Sequence, residues 1–458
     1  MHKTANDFGE GKIISLITSQ AIPLIIAQLV QLLYSIVDRI YIGHLPQTGT
    51  LALTGIGLTF PIVTIIAAFT NLFGTGGAPL FSMSRGAGNQ EKAERILGTV
   101  QALIITASLI LSASIYLFRE PILYLFGASA ESFPYADSYL KIYVFGTIFA
   151  MTATGMNGFI NAMGYPRIGM LTVVIGAVLN LILDPVFIFL LHMGVAGAAA
   201  ATVISQAVSA FWVIRFLTGP GLSLRLKRDN LKIDFGLTVQ IIRIGIAGFI
   251  FQATNSLVQI LCNSTLSIFG GDLYVSIMTV LNSVREILQL PATGLSQGSQ
   301  PVIGYNYGAG KYERVKESIR TMMFICSVYT LAAWLVILLF PKFFITLFSS
   351  DPGLLDAGVR SMHIYFFGFV FMALQSAGQN TFQSLGMSKH AVFFSLLRKV
   401  IIVAPLTVIL PRIGFGVSGV FMAEPVSNVI GGTASFTGMY FMVYRKLGKE
   451  PVKGTARV

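Results

Sequence analysis

Charge is scarce in this chain. Of 458 residues, only 11% are Asp, Glu, Lys or Arg, against about a quarter in soluble domains. Cysteine is scarcer: Cys262 and Cys326 are the two in the sequence, each inside an apolar run. Such a pair gives no disulfide framework and no metal-ligand spacing, so both are expected to serve as packing residues. The sequence also lacks a phosphate loop, a nucleophile–base motif and a metal-ligand cluster, so it does not read as an enzyme and calls for no cofactor. Gly74, Gly76 and Gly77 read as close helix packing. No cleavable leader is expected either, because residues 1–12 are polar and mixed in charge, and the first apolar run is too long for an h-region.

What the chain has in excess is apolar surface: 54% hydrophobic residues and a mean hydropathy of +0.75. A soluble core cannot use this much, but a bilayer can. A helical span needs ~20 mainly apolar residues, and twelve candidates follow one another: 14–43, 51–79, 97–118, 138–163, 168–191, 195–217, 238–269, 273–303, 319–340, 357–386, 390–411 and 415–444. Gly and Pro punctuate nearly every gap. The expected fold is therefore an all-α polytopic membrane protein with twelve transmembrane helices.

Lys and Arg set the expected orientation. With the N-terminus in the cytoplasm, the inner segments hold 21 of the 31 basic residues and the outer loops five (Arg119, Lys141, Lys342, Arg360 and Arg412). Both termini are then cytoplasmic. The bias also accounts for the net charge of +12 through contact with anionic lipid rather than nucleic acid.

The chain repeats itself at a constant offset of 222 residues. Gly49 meets Gly271, Pro79 meets Pro301, and Gly86 and Gly88 meet Gly308 and Gly310. Leu125 and Phe126 meet Leu347 and Phe348, Gly164 meets Gly386, and Gly194 and Gly197 meet Gly416 and Gly419. Each half has an even number of spans, so the halves share orientation, an arrangement known from secondary transporters with a binding site between the repeats. The expected domains are residues 1–217, a cytoplasmic linker at 218–236, a second lobe at 237–444 and a cytoplasmic tail at 445–458.

Some charge lies inside the spans. A carboxylate in hydrocarbon costs a few kcal/mol and needs a partner, water or a function. Asp38, Asp184 and Thr202 come from spans 1, 5 and 6, and each falls roughly 8–12 Å below the outer end of its span at the helical rise. Tyr34 and Asn180 precede the two acids by four residues and share their faces. Pro185 frees the carbonyl of Leu181 from its helical bond. These oxygens suit a sodium ion. They also suit a proton, because two neighbouring carboxylates cannot both ionise at low cost. The bland alternative is that Asp38 pairs with Arg39 and Asp184 caps a kink, but adjacent helix residues do not face each other.

The second half does not copy this cluster. Asp38, Asn180, Asp184 and Thr202 map onto Ile260, Ile402, Leu406 and Glu424. Its charges are Arg285 and Glu286 on span 8, Arg398 and Lys399 on span 11, and Glu424 on span 12. They are either an internal salt-bridge network or contacts to substrate in a cavity. His363 and Lys141 read as interfacial.

The sequence resembles the multidrug and toxic compound extrusion (MATE) transporters along essentially its whole length. The motifs are Pro23, the run YSIVDRIYIG from Tyr34 to Gly43, Phe60 and Pro61, Gly86 and Gly88, Gly164 to Pro166, Leu183 to Pro185, and Gly194 to Thr202. Pro291, Gly294, Pro301, Gly308 and Gly310 add to them in the second half. The resemblance implies a V-shaped antiporter of two six-helix lobes that exports organic cations or other amphipaths against inward sodium or protons. It implies a cation site at Asp38, Asn180, Asp184 and Thr202, with Tyr34 beside it and Pro23 as a hinge. NorM-like members carry cation-binding acids in the second lobe; here the span that would supply the first, residues 245–269, has no acid, and Glu286 and Glu424 lie on other helices, so the chain looks closer to the DinF-like and related bacterial branches. A monomer in the plasma membrane of a prokaryote is expected, with a small amphipathic molecule as substrate and lipid as surroundings. The rivals are a lipid-linked precursor flippase and a passive channel or scramblase. The 35 Phe and 16 Met offer adaptable and cation–π contacts, whereas Arg285, Arg398 and Lys399 equally suit an anionic or zwitterionic substrate.

Overall fold

The structure, a computed structural model, describes residues 6–45, 49–348, 351–450, 452, 454 and 455. Lys3, Lys453 and Arg457, which enter the orientation count, lie outside them. Among the described residues every regular element is helical. The helices are α1 (Ile13–Gly43), α2 (Gly49–Gly86), α3 (Gln90–Leu125), α4 (Phe133–Ala162), α5 (Pro166–Leu190) and α6 (Gly194–Leu217). A 74-residue run, Phe235–Gly308, is two helices divided at Gly271, whose φ of 66° ends the helical path; these are α7 (235–270) and α8 (272–308). Then come α9 (Tyr312–Leu339) and α10 (Pro352–Ser384), followed by Ser388–Tyr444. That last run breaks at Gly414 and Gly416, both at positive φ, into α11 (388–413) and α12 (416–444).

Nine described helices are long and apolar enough to cross a membrane. Two of them are the double runs just divided. Helix α4, 30 residues long and heavily buried, supplies the twelfth crossing. The protein is thus an all-α polytopic membrane protein of twelve transmembrane helices. Its apolar side chains also face outward, as lipid requires: Leu117, Phe211 and Ile268 are 72%, 70% and 78% exposed. The repeat reappears in backbone geometry. Gly88 and Gly310, Gly164 and Gly386, and Gly194 and Gly416 are three offset pairs in which both partners have positive φ, a conformation that glycine adopts without penalty.

The helices outrun the apolar stretches. Helix α2 continues to Gly86 and α3 starts at Gln90, because apolar runs mark hydrocarbon thickness while helical hydrogen bonding continues into the aqueous edge. Asn89 caps α3 by accepting from the Lys92 amide at 3.0 Å. A short helix, Pro341–Thr346, lies between α9 and α10.

The chain divides into two compact units. The first takes residues 26–245 with the segment before Phe8, and the second takes 8–25 and 246 onward. In the first unit α4 packs on α2, α3 and α6, and α5 packs on α6. Glycines set the approach of α2 to α4 and α7: a Cβ on Gly74 would stand 2.9 Å from the Gly155 carbonyl oxygen, and one on Gly245 only 1.8 Å from that of Leu72. The linker is strapped to α3. Buried Glu94 accepts from Lys227 Nζ at 2.5 Å and from the Arg225 amide at 3.3 Å. Asp234 accepts from the Leu237 amide at 3.0 Å and pairs with Arg95. Those contacts, the amide foremost, hold its carboxyl below the usual carboxylate range.

In the second unit α12 packs on α10 and α11, and α10 on α9. One core centres on Phe8, Ile17, Met322 and Phe382, another on Leu281, Phe366 and Phe421. Arg314 and Lys311 donate to the backbone carbonyls of Phe8, Gly9, Glu10 and Gly11, which fixes the segment ahead of α1. Gly245→Ala is expected to destabilise the fold by about 1–3 kcal/mol, the cost of over-packing, seen as a lower melting temperature in detergent. An unchanged melting curve would show that α2 and α7 yield freely at this contact.

Candidate functional site

In the first unit, α1, α5 and α6 bring the sequence-predicted residues together. Asn180 Nδ2 donates to Asp184 Oδ1 at 3.1 Å and to Thr202 Oγ1 at 3.4 Å. The Asp38 and Asp184 carboxyls meet within hydrogen-bonding reach. Asn180, Asp184 and Thr202 are buried and Asp38 half-buried. Three oxygens at this point, Asp38 Oδ1, Asn180 Oδ1 and Asp184 Oδ2, are buried with no hydrogen-bond donor. Arg39 does not neutralise the site, because its guanidinium lies over the Phe60 ring, 5.9 Å from the centroid. Tyr34 stands close enough to feel both acids.

Local sequence explains the placement. Asn180 and Asp184 are one turn apart on one face. At Pro185 the α-helix gives way to a π-helical turn, Val186–Leu190, because proline cannot donate to the carbonyl four residues back. The chemistry is that of a small hard cation or a proton: carboxylate, amide and hydroxyl oxygens, no sulfur and no imidazole. The orphaned oxygens converge from α1 and α5, so the residues fit such an ion.

In the second unit a different cluster forms. Glu424 Oε1 accepts from Arg398 Nη2 at 2.6 Å, Arg285 Nη1 at 3.1 Å and Lys399 Nζ at 3.2 Å, and its Oε2 accepts from Lys399 at 3.3 Å. Arg398 also donates to Gln375. Arg285 lies against the Tyr365 ring, 5.8 Å from its centroid, and the Tyr365 hydroxyl donates to Asn282 at 3.0 Å. Glu286 is not part of this cluster. It follows Arg285 directly on α8 and its side chain is exposed, since neighbours on a helix point apart. Outside the clusters, Lys141 pairs with Asp137 at 2.6 Å, and exposed His363 contacts the Leu338 carbonyl at 3.2 Å.

The MatE family matches residues 23–186 and 249–409, one block in each half of the repeat. The chain belongs to the MatE family. It is similar to the multidrug export protein MepA of Staphylococcus haemolyticus, 27% identical over 444 residues, with 95% of this chain and 94% of that protein covered. It is 24% identical to the protein of the same name from Staphylococcus aureus, with 92% of each chain covered. Its fold superimposes on an outward-facing multidrug resistance MATE family transporter with a TM-score of 0.90 at 22% identity, covering 98% of this chain and 100% of the other. A MATE structure in a bent conformation gives the same score at 21% identity, with 97% and 99% covered. The protein is therefore a member of a membrane transporter family and not an enzyme.

Sequence reasoning missed several neighbours of the two MATE clusters. Tyr139 lies beside Thr202 and Tyr143 beside Gln206, and the two rings stack at 5.6 Å. Neither tyrosine carries a charge to single it out, though their spacing of four residues puts both on one face of α4. Gln375 and Tyr365 were equally silent. Glu424→Leu is expected to destabilise the fold by about 3–5 kcal/mol, because it strands buried cations. Thermal unfolding of the purified protein measures this, and a loss below about 1 kcal/mol would mean that water reaches the cluster freely.

Proposed function

We propose that this MATE protein is a secondary active antiporter that exports amphipathic organic compounds, organic cations among them, in exchange for inward sodium ions or protons. The supporting observation is the meeting of Asp38 and Asp184 around oxygens that have no donor. Asp38, Asn180, Asp184 and Thr202 form the coupling-ion site, with Tyr34 at its edge. The names of the Staphylococcus relatives support export of drugs. The excess of Lys and Arg on the inner segments supports cytoplasmic termini, the bacterial relatives support a prokaryotic plasma membrane, and the protein is proposed to work as a monomer.

The mechanism follows from electrostatics. Unoccupied, the two acids repel each other in a medium of low dielectric and hold α1, α5 and α6 apart. Occupied, they attract a shared cation and the three helices close. An ion drives such a change only through different affinity for the two states. Pro23 gives α1 a place to bend, and the passage of α1 from one compact unit to the other falls between Ile25 and Ile26, within a turn of that proline. A cavity that favours substrate in one arrangement and releases it in the other then alternates between the two sides. A passive channel is disfavoured because the polar cluster on α1, α5 and α6 has no counterpart at the offset positions Ile260, Ile402 and Leu406.

Proteoliposomes loaded with a fluorescent organic cation, and given a sodium gradient or a pH gradient alone, test the reading. One gradient is expected to drive efflux. Asp38→Asn and Asp184→Asn are each expected to reduce it at least tenfold at unchanged membrane expression. Full efflux in either variant would rule out this site as the coupling-ion site.

A further inference from the structure

We propose that the Arg285–Arg398–Lys399–Glu424 cluster is an anion-binding site, one that takes the carboxylate or phosphate group of an amphipathic ligand. As the identity of exported cargo, that ligand rests on the antiport reading. The site itself does not.

Charge balance is the first ground. Three basic side chains converge on one carboxylate, so basic groups outnumber acidic ones within a transmembrane bundle. A cluster built only to brace helices gains by neutrality, because unpaired charge in a low-dielectric interior is expensive. Glu286, the nearest further acid in sequence, is turned outward. An anionic ligand would supply the negative charge that the cluster's one carboxylate does not.

Unused donors are the second. Glu424 Oε1 already accepts from three side chains. Arg398 Nε is buried without a partner. Arg285 commits Nη1 to Glu424, and its side chain remains 27% exposed, against 4% for Arg398 and Lys399. Arg285 is therefore the accessible member, held in place by Glu424 on one side and the Tyr365 ring on another. A guanidinium fixed in this way presents a planar fork that matches a carboxylate or phosphate.

Backbone geometry is the third. Arg398 and Lys399 are consecutive, and on a regular helix they would point apart. They sit in a π-helical stretch, Leu397–Val403, just ahead of Pro405, and this widened turn lets both reach Glu424. Such local widenings recur at functional sites. Glu424 is also the offset counterpart of Thr202.

The test uses the full-length protein in neutral detergent and two fluorescent probes of equal hydrocarbon content, dansylaminoundecanoic acid and its methyl ester. The acid is expected to bind about tenfold more tightly than the ester, the order of one charge-assisted contact. Equal affinities would overturn the proposal, and that comparison needs no variant to fold. In Arg285→Gln the ratio is expected to fall towards one, while Arg285→Lys, which keeps the charge, retains most of it. An undiminished ratio in Arg285→Gln, or equal loss in both variants, would also overturn it. Phosphatidylglycerol, compared with phosphatidylcholine in mixed micelles, separates the two sources of anion. Competition with the acid assigns the site to lipid headgroups, and its absence assigns it to a solute. Gradient-driven efflux of a fluorescent cation is scored separately. Loss of that efflux with the acid preference intact removes the antiport reading and leaves the anion site standing.

Discussion

A pair of carboxylates inside an apolar bundle, with no basic side chain bonded to either among the described residues, is stable only while something positive lies between them. Asp38 and Asp184 are such a pair, and most of the local architecture serves to bring them together. Pro185 turns the end of α5 into a π-helical segment. Asn180 spans Asp184 and Thr202, tying α5 to α6. Arg39, the basic residue nearest in sequence to Asp38, stacks on Phe60 instead. Repulsion between the acids and attraction to a shared ion differ by far more than thermal energy in a low dielectric. Under the proposed scheme, that difference lets a small ion bias the packing of three helices.

The two halves of the repeat solve the problem of intramembrane charge in opposite ways. The first leaves its acids without a basic partner among the described residues and, under the proposed scheme, relies on an ion from solution. The second gathers three bases around one acid and holds them with an aromatic face and an amide. Both use a proline near the same level of the equivalent helix, Pro185 and Pro405, and both show π-helical geometry beside it. The offset does not superpose the two π-helical stretches: Leu397–Val403 maps onto 175–181, which is regular α-helix in the first half. Under the two proposals, one lobe handles the driving cation and the other is free to meet a group of the opposite sign.

Much of this was legible in the residues. Spans showed as apolar runs because lipid tolerates little else, and the offset glycines marked helix ends because positive φ is costly to other residues. Asp38, Asn180, Asp184 and Thr202 stood out because intramembrane polarity is rare, and the rise per residue placed them at one level. The partners of Glu424 were harder to read. Adjacent residues Arg398 and Lys399 should diverge on a regular helix, and only the π-helical turn makes both available, a departure that hydropathy does not register. Glu286 looked as eligible as Arg285 for the same reason in reverse: sequence gives neighbours equal standing, and helical geometry sends one inward and the other out. Tyr139, Tyr143, Tyr365 and Gln375 are neutral, and a neutral side chain in an apolar run carries no mark until its neighbours are in place.

Helix α1 joins the electrostatics to the backbone. Its C-terminal part, with Asp38, belongs to the first compact unit, and its N-terminal part, as far as Ile25, belongs to the second. In the second unit that N-terminal part is gripped closely: a Cβ on Gly298 would stand 2.8 Å from the Ala21 amide nitrogen, and one on Gly294 2.4 Å from the Ile25 side chain. A force on Asp38 therefore acts on a helix whose other end is held, and strain collects where hydrogen bonding is weakest. Proline removes one intrahelical bond, so that place is the turn around Pro23. Under the proposed scheme the energy of ion binding enters at Asp38 and is expressed as bending there, and a helix without that weak turn would pass the force on rigidly instead of bending.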